Sequence, residues 1–188
     1  MEKASTYHSE KELVEALLAF KCCKDLDVQE FLNNKAIDFE KRGWATTYLL
    51  LAEKEFVRGE VKIEGYFSLT HKAVLFNSDV SLSLRKKLTG VKQSTIESFV
   101  LIGQLGKRIG YYSNGEYDES TINAEEIIDD AIAVIQMSSK YIINKHVIVE
   151  CKPIQKVKQI YTDYGFSDLQ YSKNEGLHTL YLKLDNDI

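Results

Sequence analysis

The stretch that ends in Ile160-Tyr-Thr-Asp-Tyr-Gly-Phe166 decides the fold, and it begins near Ser94. Its pattern predicts, in order, a mostly apolar strand (96–109), a polar loop (110–121), an amphipathic helix, a buried strand (Tyr141–Val149), and a helix opened by Pro153 and ended by Gly165. A strand-loop-helix-strand unit can hold a phosphate-bearing ligand, because a helix N-terminus offers unpaired N–H groups and a favourable dipole. A ligand is therefore expected first at this loop.

Turn and cap signals refine this unit. Gly103 and Gly106 interrupt the apolar strand, which indicates a bulge, a ligand lying along the backbone, or simple curvature. Asn114-Gly115 is the strongest turn signal of the loop. Thr121 or Asn123 is expected to cap the helix that follows.

Outside this unit, helical and strand periodicities alternate along the chain. Two N-terminal helices are predicted, the first from a capping box at Ser9-Glu-Lys-Glu12 and the second from a cap at Asp25 or Asp27, ending near Gly43. The remaining predicted elements are a hairpin of Thr46–Ala52 and Glu60–Leu75, a short basic helix at Ser81–Leu88, and a C-terminal hairpin that starts at Ser167 and turns through Lys173–Gly176. The order α-α-β-β-β-α-β-α-β-β predicts a mixed α/β sheet.

The second arm of the first hairpin has two predicted faces. Val61, Ile63, Phe67 and Leu69 form the core face, and Tyr66 lies among the residues of the polar face. Gly65 sits on the core face, where the missing side chain indicates a bulge or a close backbone approach.

Length and composition predict a single domain, 1–188, that needs neither disulfides nor a metal to build its core. No apolar segment is long enough to span a membrane and the N-terminus lacks a signal-peptide core, which predicts a cytoplasmic protein. Cys22, Cys23 and Cys151 are interpreted as free thiols. The net charge of −4 gives no overall attraction to nucleic acid.

Charge is unevenly distributed along the chain. A basic set comprises Arg85, Lys86, Lys87, Lys92, Lys107 and Arg108. An acidic block, with no evident basic partner, comprises Glu116, Asp118, Glu119, Glu125, Glu126, Asp129 and Asp130. Such runs are more often solvated faces than functional surfaces. An RNA ligand would require the basic set to form one patch, and its binding would weaken steeply with salt.

The order of elements and three segments resemble the GCN5-related N-acetyltransferase (GNAT) superfamily over most of the chain. The segments are Ile160–Phe166, the strand Leu101-Ile-Gly-Gln-Leu-Gly106 and the helix portion Ile127-Ile-Asp-Asp-Ala-Ile132. Four N-terminal segments, Phe20–Cys23, Leu26–Leu32, Thr47-Tyr48 and Ile63–Leu69, are similar to toxin-type acetyltransferases of toxin–antitoxin pairs. The resemblance implies an α/β (α+β) fold with a mixed, mostly antiparallel central sheet flanked by helices.

The resemblance also implies an activity and a site. The expected reaction moves an acetyl group from acetyl-CoA to a primary amine, either of a small molecule or of an aminoacyl-tRNA. Tyr161 would donate the proton to the departing thiolate. Residues implied in coenzyme binding are Leu105, Gly106, Lys107, Arg108, Thr121, Asn123 and Ala124. Expected partners are tRNA, an antitoxin protein and a second copy of the chain, with no membrane.

Alternatives remain open for these residues. The segment Glu119–Ala124 lacks the family's usual Gly-x-Gly or Gly-x-Ala pattern and is acidic. This departure leaves a catalytically silent binding or assembly module as the second interpretation. Tyr161 can also be a core aromatic with a satisfied hydroxyl, and Asn123 merely a helix cap.

No general base is identifiable. His71, His146 and His178 lie on strand faces without a carboxylate at a meaningful spacing, which is typical of structural histidines. Several tyrosines are candidates to line an acceptor groove or stack on nucleotide bases, namely Tyr66, Tyr111, Tyr112 and Tyr117.

Overall fold

The structure, a computed structural model, describes residues 10–169 and 176–184. Its elements are α1 (Glu10–Ala19), α2 (Leu26–Glu30), a π-helical turn (Phe31–Lys35), α3 (Ala36–Lys41), β1 (Thr46–Leu51), α4 (Glu53–Val57), β2 (Ile63–Leu75), α5 (Leu82–Thr89), β3 (Ile96–Lys107), β4 (Ile109–Tyr111), β5 (Tyr117–Glu119), α6 (Ala124–Ser138), β6 (His146–Cys151), α7 (Gln155–Tyr164), β7 (Ser167–Asp168) and β8 (His178–Lys183). Ser9 and residues 173–175 of the predicted turn lie outside the described residues.

The chain forms two compact units. Unit 1 comprises the residues up to Ser68 together with Gln104–Ile128, and unit 2 comprises Leu69–Gly103 together with the residues from Asp129 onward. Strands β2 and β3 each contribute residues to both units. None of the described helices is both long enough and apolar enough to cross a membrane.

The main sheet has six strands in the order β1-β2-β3-β6-β8-β7, and β4 and β5 form a separate two-stranded hairpin. Strand β3 pairs in parallel with β6, whereas β6–β8 and β7–β8 are antiparallel pairs. The mixed sheet flanked by helices confirms the predicted fold class.

The core of unit 1 packs the N-terminal helices on the first half of β2. Tyr66 is fully buried, its ring contacts those of Phe20 and Phe31, and its hydroxyl donates to the Val28 carbonyl at 2.6 Å. The predicted polar face of β2 is therefore wrong. In an alternating pattern a tyrosine is counted with the polar residues. Helices cover both faces of β2, however, and the Tyr66 hydroxyl is satisfied by a backbone carbonyl.

The second N-terminal helix begins as predicted, because the Asp25 carboxylate accepts from the backbone N–H of Asp27 and of Val28. The π-helical turn in its middle is not visible in the sequence pattern. Asn33 lies in that turn, and its amide donates to the carbonyls of Leu17 at 3.0 Å and Leu18 at 2.8 Å. It thereby satisfies backbone acceptors at the end of α1 that the helix leaves unpaired.

The core of unit 2 lies between α5 and strands β3, β6 and β8. Its buried residues are Val74, Phe76, Val80, Leu88, Phe99, Ile148, Leu169 and Tyr181. The short basic helix is confirmed as α5, with Ser81 accepting from the backbone N–H of Leu84. Arg85 of this helix donates to the carbonyls of Val80, Asn77 and Ser94, so its charge holds the loops around the helix.

Two boundaries differ from prediction. The strand predicted from Tyr141 begins at His146, and Tyr141 is 90% exposed. The apolar run 141–143 has strand composition, but the pairing of β6 with β8 begins only at His146–Lys183. The segment 110–121, predicted as a loop, contains the β4–β5 hairpin, whose turn is at Asn114-Gly115 as predicted.

Gly106 is expected to tolerate no side chain. A Cβ at this position would collide with Val28 Cγ1 and would lie 3.1 Å from Tyr66 Cε1. Gly106→Ala is therefore expected to lower the free energy of unfolding by about 1–3 kcal/mol, the usual cost of overpacking. Urea denaturation followed by circular dichroism measures this loss. Gly110→Ala is the matched control, because its Cβ would meet only Lys21 Cβ at 3.5 Å, and an equal loss there would contradict the explanation.

Candidate functional site

All seven predicted coenzyme-binding residues lie in unit 1, and Tyr161 lies in unit 2. Within unit 1 they form two groups, Leu105–Arg108 at the end of β3 and residues 121–124 at the start of α6. Each group has features that bear on phosphate or amide binding.

Helix α6 begins with a capping box. The Asn123 side chain accepts from the Glu126 N–H at 2.9 Å, and the Glu126 carboxylate accepts from the Asn123 N–H at 2.7 Å. Asn123 is thus the helix cap, which was one of its two predicted roles. Thr121 is exposed. The next residues, Ala124 and Glu125, have no acceptor within the helix for their N–H groups. These two donors and the dipole suit an anion.

The side chains of Lys107 and Arg108 bind carboxylates of their own unit. Lys107 Nζ lies 2.6 Å from Glu119, which also pairs with Lys24 at 3.5 Å. Arg108 lies 3.2 Å from Glu64 and 2.7 Å from Asp118. Two acids of the predicted unpaired block therefore have basic partners, and that prediction is wrong. Partners this far apart in sequence become visible only in the fold.

The ion pairs shift the titration of the groups involved. The hydrogen bond from Arg108 lowers the pKa of Asp118, and that from Lys107 lowers the pKa of Glu119. Burial lowers the pKa of Arg108, but its hydrogen bonds with Asp118 and Glu64 outweigh burial and the net pKa is raised. Each of these two cations therefore has a carboxylate beside it, and neither is an uncompensated charge.

Leu105, Gly106 and Lys107 lie in the last part of β3. The pairing of β3 with β6 runs from Val100–Val147 to Ile102–Val149, and β3 then continues to Lys107. A strand edge beyond its last pair can bind an extended ligand through backbone hydrogen bonds. The absence of a side chain at Gly106 has a packing reason, since Val28 and Tyr66 cover that position.

Tyr161 lies in α7, one turn before the helix ends. Gly165 has φ of 114° and Phe166 N–H donates to the Tyr161 carbonyl at 2.9 Å, which closes the helix as predicted. The half-buried phenol contacts the Phe166 ring edge-on at 5.6 Å. Among the described residues, its hydroxyl has no hydrogen-bond partner. The neighbouring Tyr164 hydroxyl, in contrast, donates to Asp129 at 2.7 Å.

The environment of Tyr161 keeps its proton in place. Burial, with a smaller contribution from Cys151, raises the pKa of Tyr161 to about 12. The neutral phenol therefore persists at physiological pH and can donate a proton. Cys151 is buried and its thiol is free, as are those of Cys22 and Cys23, which agrees with the predicted free thiols.

The described histidines differ in burial, and only His146 is enclosed by the core. His71 is exposed and His178 half-buried, whereas His146 is buried between the rings of Phe99 and Tyr181. Desolvation, followed by Lys183, Lys145 and Lys87, lowers the pKa of His146 to about 4.

This shift predicts a pH dependence of stability. The folded chain holds His146 neutral down to about pH 4, whereas an unfolded histidine binds a proton below its ordinary pKa of 6.5. The free energy of unfolding should therefore fall as the pH drops from 6.5 towards 4, with a slope of at most about 1.4 kcal/mol per pH unit. Urea denaturation across this range measures the slope. His146→Gln should remove that part of the slope, and an unchanged slope would contradict the assignment.

The predicted tyrosine cluster is divided. Tyr66 is a core residue, so its predicted place in an acceptor groove or base-stacking surface is wrong. Tyr111, Tyr112 and Tyr117 are exposed on the β4–β5 hairpin. Lys24, which lies over the Tyr117 ring at 4.8 Å, has no signal in the sequence that connects it to this hairpin.

No protein-family model and no curated protein sequence matches the chain. Several solved structures have a similar fold, including complexes of AtaT and AtaTR and a variant of KacT. AtaT complexed with acetyl-methionyl-tRNA is 17% identical with a TM-score of 0.66, and the alignment covers 89% of this chain and 86% of AtaT. AtaTR bound with acetyl-CoA is 18% identical with a TM-score of 0.64, covering 89% and 86%. A tyrosine-to-phenylalanine variant of KacT is 17% identical with a TM-score of 0.63, covering 88% and 85%.

At this level of identity the likeness concerns the fold. It extends over most of both chains. The chain therefore has the fold of AtaT and KacT.

Proposed function

We propose that the chain is a toxin-type N-acetyltransferase that moves an acetyl group from acetyl-CoA to the primary amine of an aminoacyl-tRNA. The observation that carries the proposal is the fold shared with AtaT over 89% of the chain. AtaT is a toxin whose structures include complexes with acetyl-CoA and with acetyl-methionyl-tRNA.

The proposed reaction is direct transfer. The neutral amine attacks the thioester carbonyl, a C–N bond forms, the C–S bond breaks, and the amine loses a proton. Tyr161 protonates the departing thiolate, a role that its neutral phenol and unpartnered hydroxyl support. Water accepts the amine proton in this proposal, since none of the described histidines is paired with a carboxylate that would make it a general base.

The coenzyme is proposed to bind through backbone groups. The N–H groups of Ala124 and Glu125 at the start of α6 would meet the pyrophosphate, with Thr121 and Asn123 beside it. Backbone groups of Leu105, Gly106 and Lys107 would bind the pantetheine arm as an added strand and polarise the carbonyl. Arg108 would act indirectly, by fixing the hairpin that leads to α6.

The same proposal names partners and a compartment. An antitoxin protein, such as the AtaR that binds AtaT, would restrain the activity, and a second copy of the chain is a further expected partner. The site of action is the cytoplasm, where aminoacyl-tRNA is available. Lys107 and Arg108 of the basic set contribute less free charge than expected, because both are paired with carboxylates of unit 1.

The experiment is a transfer assay. The purified chain is incubated with acetyl-CoA and a panel of aminoacyl-tRNAs, and both thiol release and acetyl-aminoacyl product are measured. Product formation with at least one aminoacyl-tRNA is the expected result. Binding of acetyl-CoA without turnover on tRNA, peptide or small amines would instead favour the silent module.

A further inference from the structure

The exposed face of the β4–β5 hairpin carries an aromatic pair beside two lysines, all within unit 1. Tyr111 and Tyr117 are cross-strand partners, their rings lie 5.0 Å apart in a stacked arrangement, and they are 60% and 52% exposed. Such rings are a common surface for stacking a base. We call Tyr111, Tyr117, Lys24 and Lys107 the hairpin platform.

The hairpin holds these rings in a fixed place. Ile109 N–H donates to the Lys21 carbonyl at 2.8 Å, and Cys23 N–H donates to the Ile109 carbonyl at 2.9 Å, so β4 is bound along the segment that carries Lys24. Hydrogen bonding with Tyr117, and then with Cys23, raises the pKa of Tyr111 to about 12. A ring pair that is ordered before the ligand arrives loses little entropy on binding.

The platform carries a net positive charge. Lys24 lies over the Tyr117 ring at 4.8 Å and Lys107 lies 2.6 Å from Glu119, while Lys24 and Glu119 are 3.5 Å apart. Two ammonium groups thus share one carboxylate, and one positive charge remains for a phosphate. The Lys24 side chain is 51% exposed and accessible to a ligand.

The platform also stands directly before the helix to which we assign the pyrophosphate. Strand β5 ends at Glu119 and α6 begins at Ala124. In the connection between them, Ser120 N–H donates to the Arg108 carbonyl at 2.9 Å and the Ser120 hydroxyl accepts from the Ile122 N–H at 3.2 Å. In acetyl-CoA the pyrophosphate is bonded to the 5′-oxygen of an adenosine whose ribose carries the 3′-phosphate. We propose that Tyr111 and Tyr117 stack on the adenine of acetyl-CoA and that Lys24 binds its 3′-phosphate, an inference that rests on the proposed function.

The platform would add affinity at the adenine and the 3′-phosphate, which offsets the pyrophosphate interactions that a conventional glycine-containing loop supplies. Glu119 then limits the affinity, because it competes with the ligand phosphate for Lys24 and Lys107. The hairpin therefore provides specificity for the complete coenzyme over its shorter thioester fragments.

Calorimetric titration of the full chain with three ligands tests the platform. The ligands are acetyl-CoA, its 3′-dephospho form and S-acetyl-4′-phosphopantetheine, which lacks the adenosine. The double variant Tyr111→Ser/Tyr117→Ser should bind acetyl-CoA about 10-fold more weakly, the usual effect of losing base stacking, and leave phosphopantetheine binding unchanged. Lys24→Gln should bind acetyl-CoA and the dephospho form equally.

Tyr112→Ser is the matched control, because Tyr112 is an exposed residue of the same hairpin that hydrogen-bonds Asp118 and lies outside the platform. It should leave the preference for acetyl-CoA over phosphopantetheine intact. Equal weakening of both ligands by the double variant, or loss of binding to a cytidine-cytidine-adenosine trinucleotide instead of acetyl-CoA, would overturn the inference. A wild-type chain that transfers acetyl groups but shows no such preference would overturn the platform alone. One that fails to bind acetyl-CoA would overturn the proposed function as well.

Discussion

Replacing Tyr161 with phenylalanine is expected to lower kcat about 100-fold or more, the usual contribution of a positioned general acid, with little change in KM for acetyl-CoA. The substitution removes only the hydroxyl, which has no partner among the described residues, so the helix and its contact with Phe166 should remain. The departing thiolate would then have to take its proton from water. The measurement is the steady-state rate of thiol release with a fixed aminoacyl-tRNA.

Tyr164→Phe is the control, because it removes a hydroxyl from the same helix that is bonded to Asp129 instead of being free. Its kcat should stay within a few-fold of the wild type. The pKa of about 12 for Tyr161 adds a second check, since the acid form persists at every lower pH. The wild-type rate should therefore show no alkaline decline from Tyr161 below about pH 11. A Tyr161→Phe variant with unchanged kcat would exclude Tyr161 as the proton donor.

Features encoded by local periodicity could be predicted from the sequence. The apolar stripe of α6 is an example, because Ile127, Ile128 and Ala131 recur at helical spacing and are fully buried. The αL cap at Gly165 is another, since few other residues tolerate its φ of 114°. These elements fix the order of the fold, and the order carried the resemblance to the GNAT family.

Features that depend on distant partners could not be predicted. The pairing of Arg108 with Glu64 joins residues 44 apart in sequence, and nothing near either residue signals the other. The burial of Tyr66 could not be predicted for the same reason. An alternating pattern does not distinguish an exposed phenol from one whose hydroxyl donates to a buried carbonyl. The apolar run Tyr141–Ile143 has strand composition, but the pairing of β6 with β8 begins only at His146–Lys183.

The candidate site was accessible to sequence reasoning only in part. Asn123 and Tyr161 are recognisable because a helix cap and a tyrosine before Gly-Phe leave local patterns. Backbone donors leave almost none, since any residue at Leu105 supplies the same N–H and C=O groups. The hairpin platform could not be predicted, because Lys24 and Lys107 come from separate segments and composition alone gives no reason to combine them.

Replacing Arg108 with methionine is expected to lower the free energy of unfolding by about 3–5 kcal/mol, the typical cost of removing one partner from a buried ion pair. The side chains of Arg108 and Glu64 are each only 11% exposed, so Glu64 would keep a charge with little water around it. Its remaining partner would be Lys62, which lies 3.5 Å away and is 42% exposed. The β4–β5 hairpin would also lose the ion pair between Arg108 and Asp118. Urea denaturation followed by far-UV circular dichroism measures the loss.

The double variant Arg108→Met/Glu64→Gln should recover part of this stability, because a neutral amide at position 64 removes a buried carboxylate that only Lys62 would still balance, and leaves a smaller desolvation cost. Lys11→Ala is the surface control. Its partner Glu15 is 64% exposed and Lys11 itself 85%, so breaking that pair should change the free energy of unfolding by less than about 1 kcal/mol. Recovery in the double variant would mean that most of the lost stability comes from the buried charge of Glu64. Equal instability in the single and double variants would instead locate it in the lost bonds between Arg108 and the hairpin, and the hairpin platform should then weaken with it.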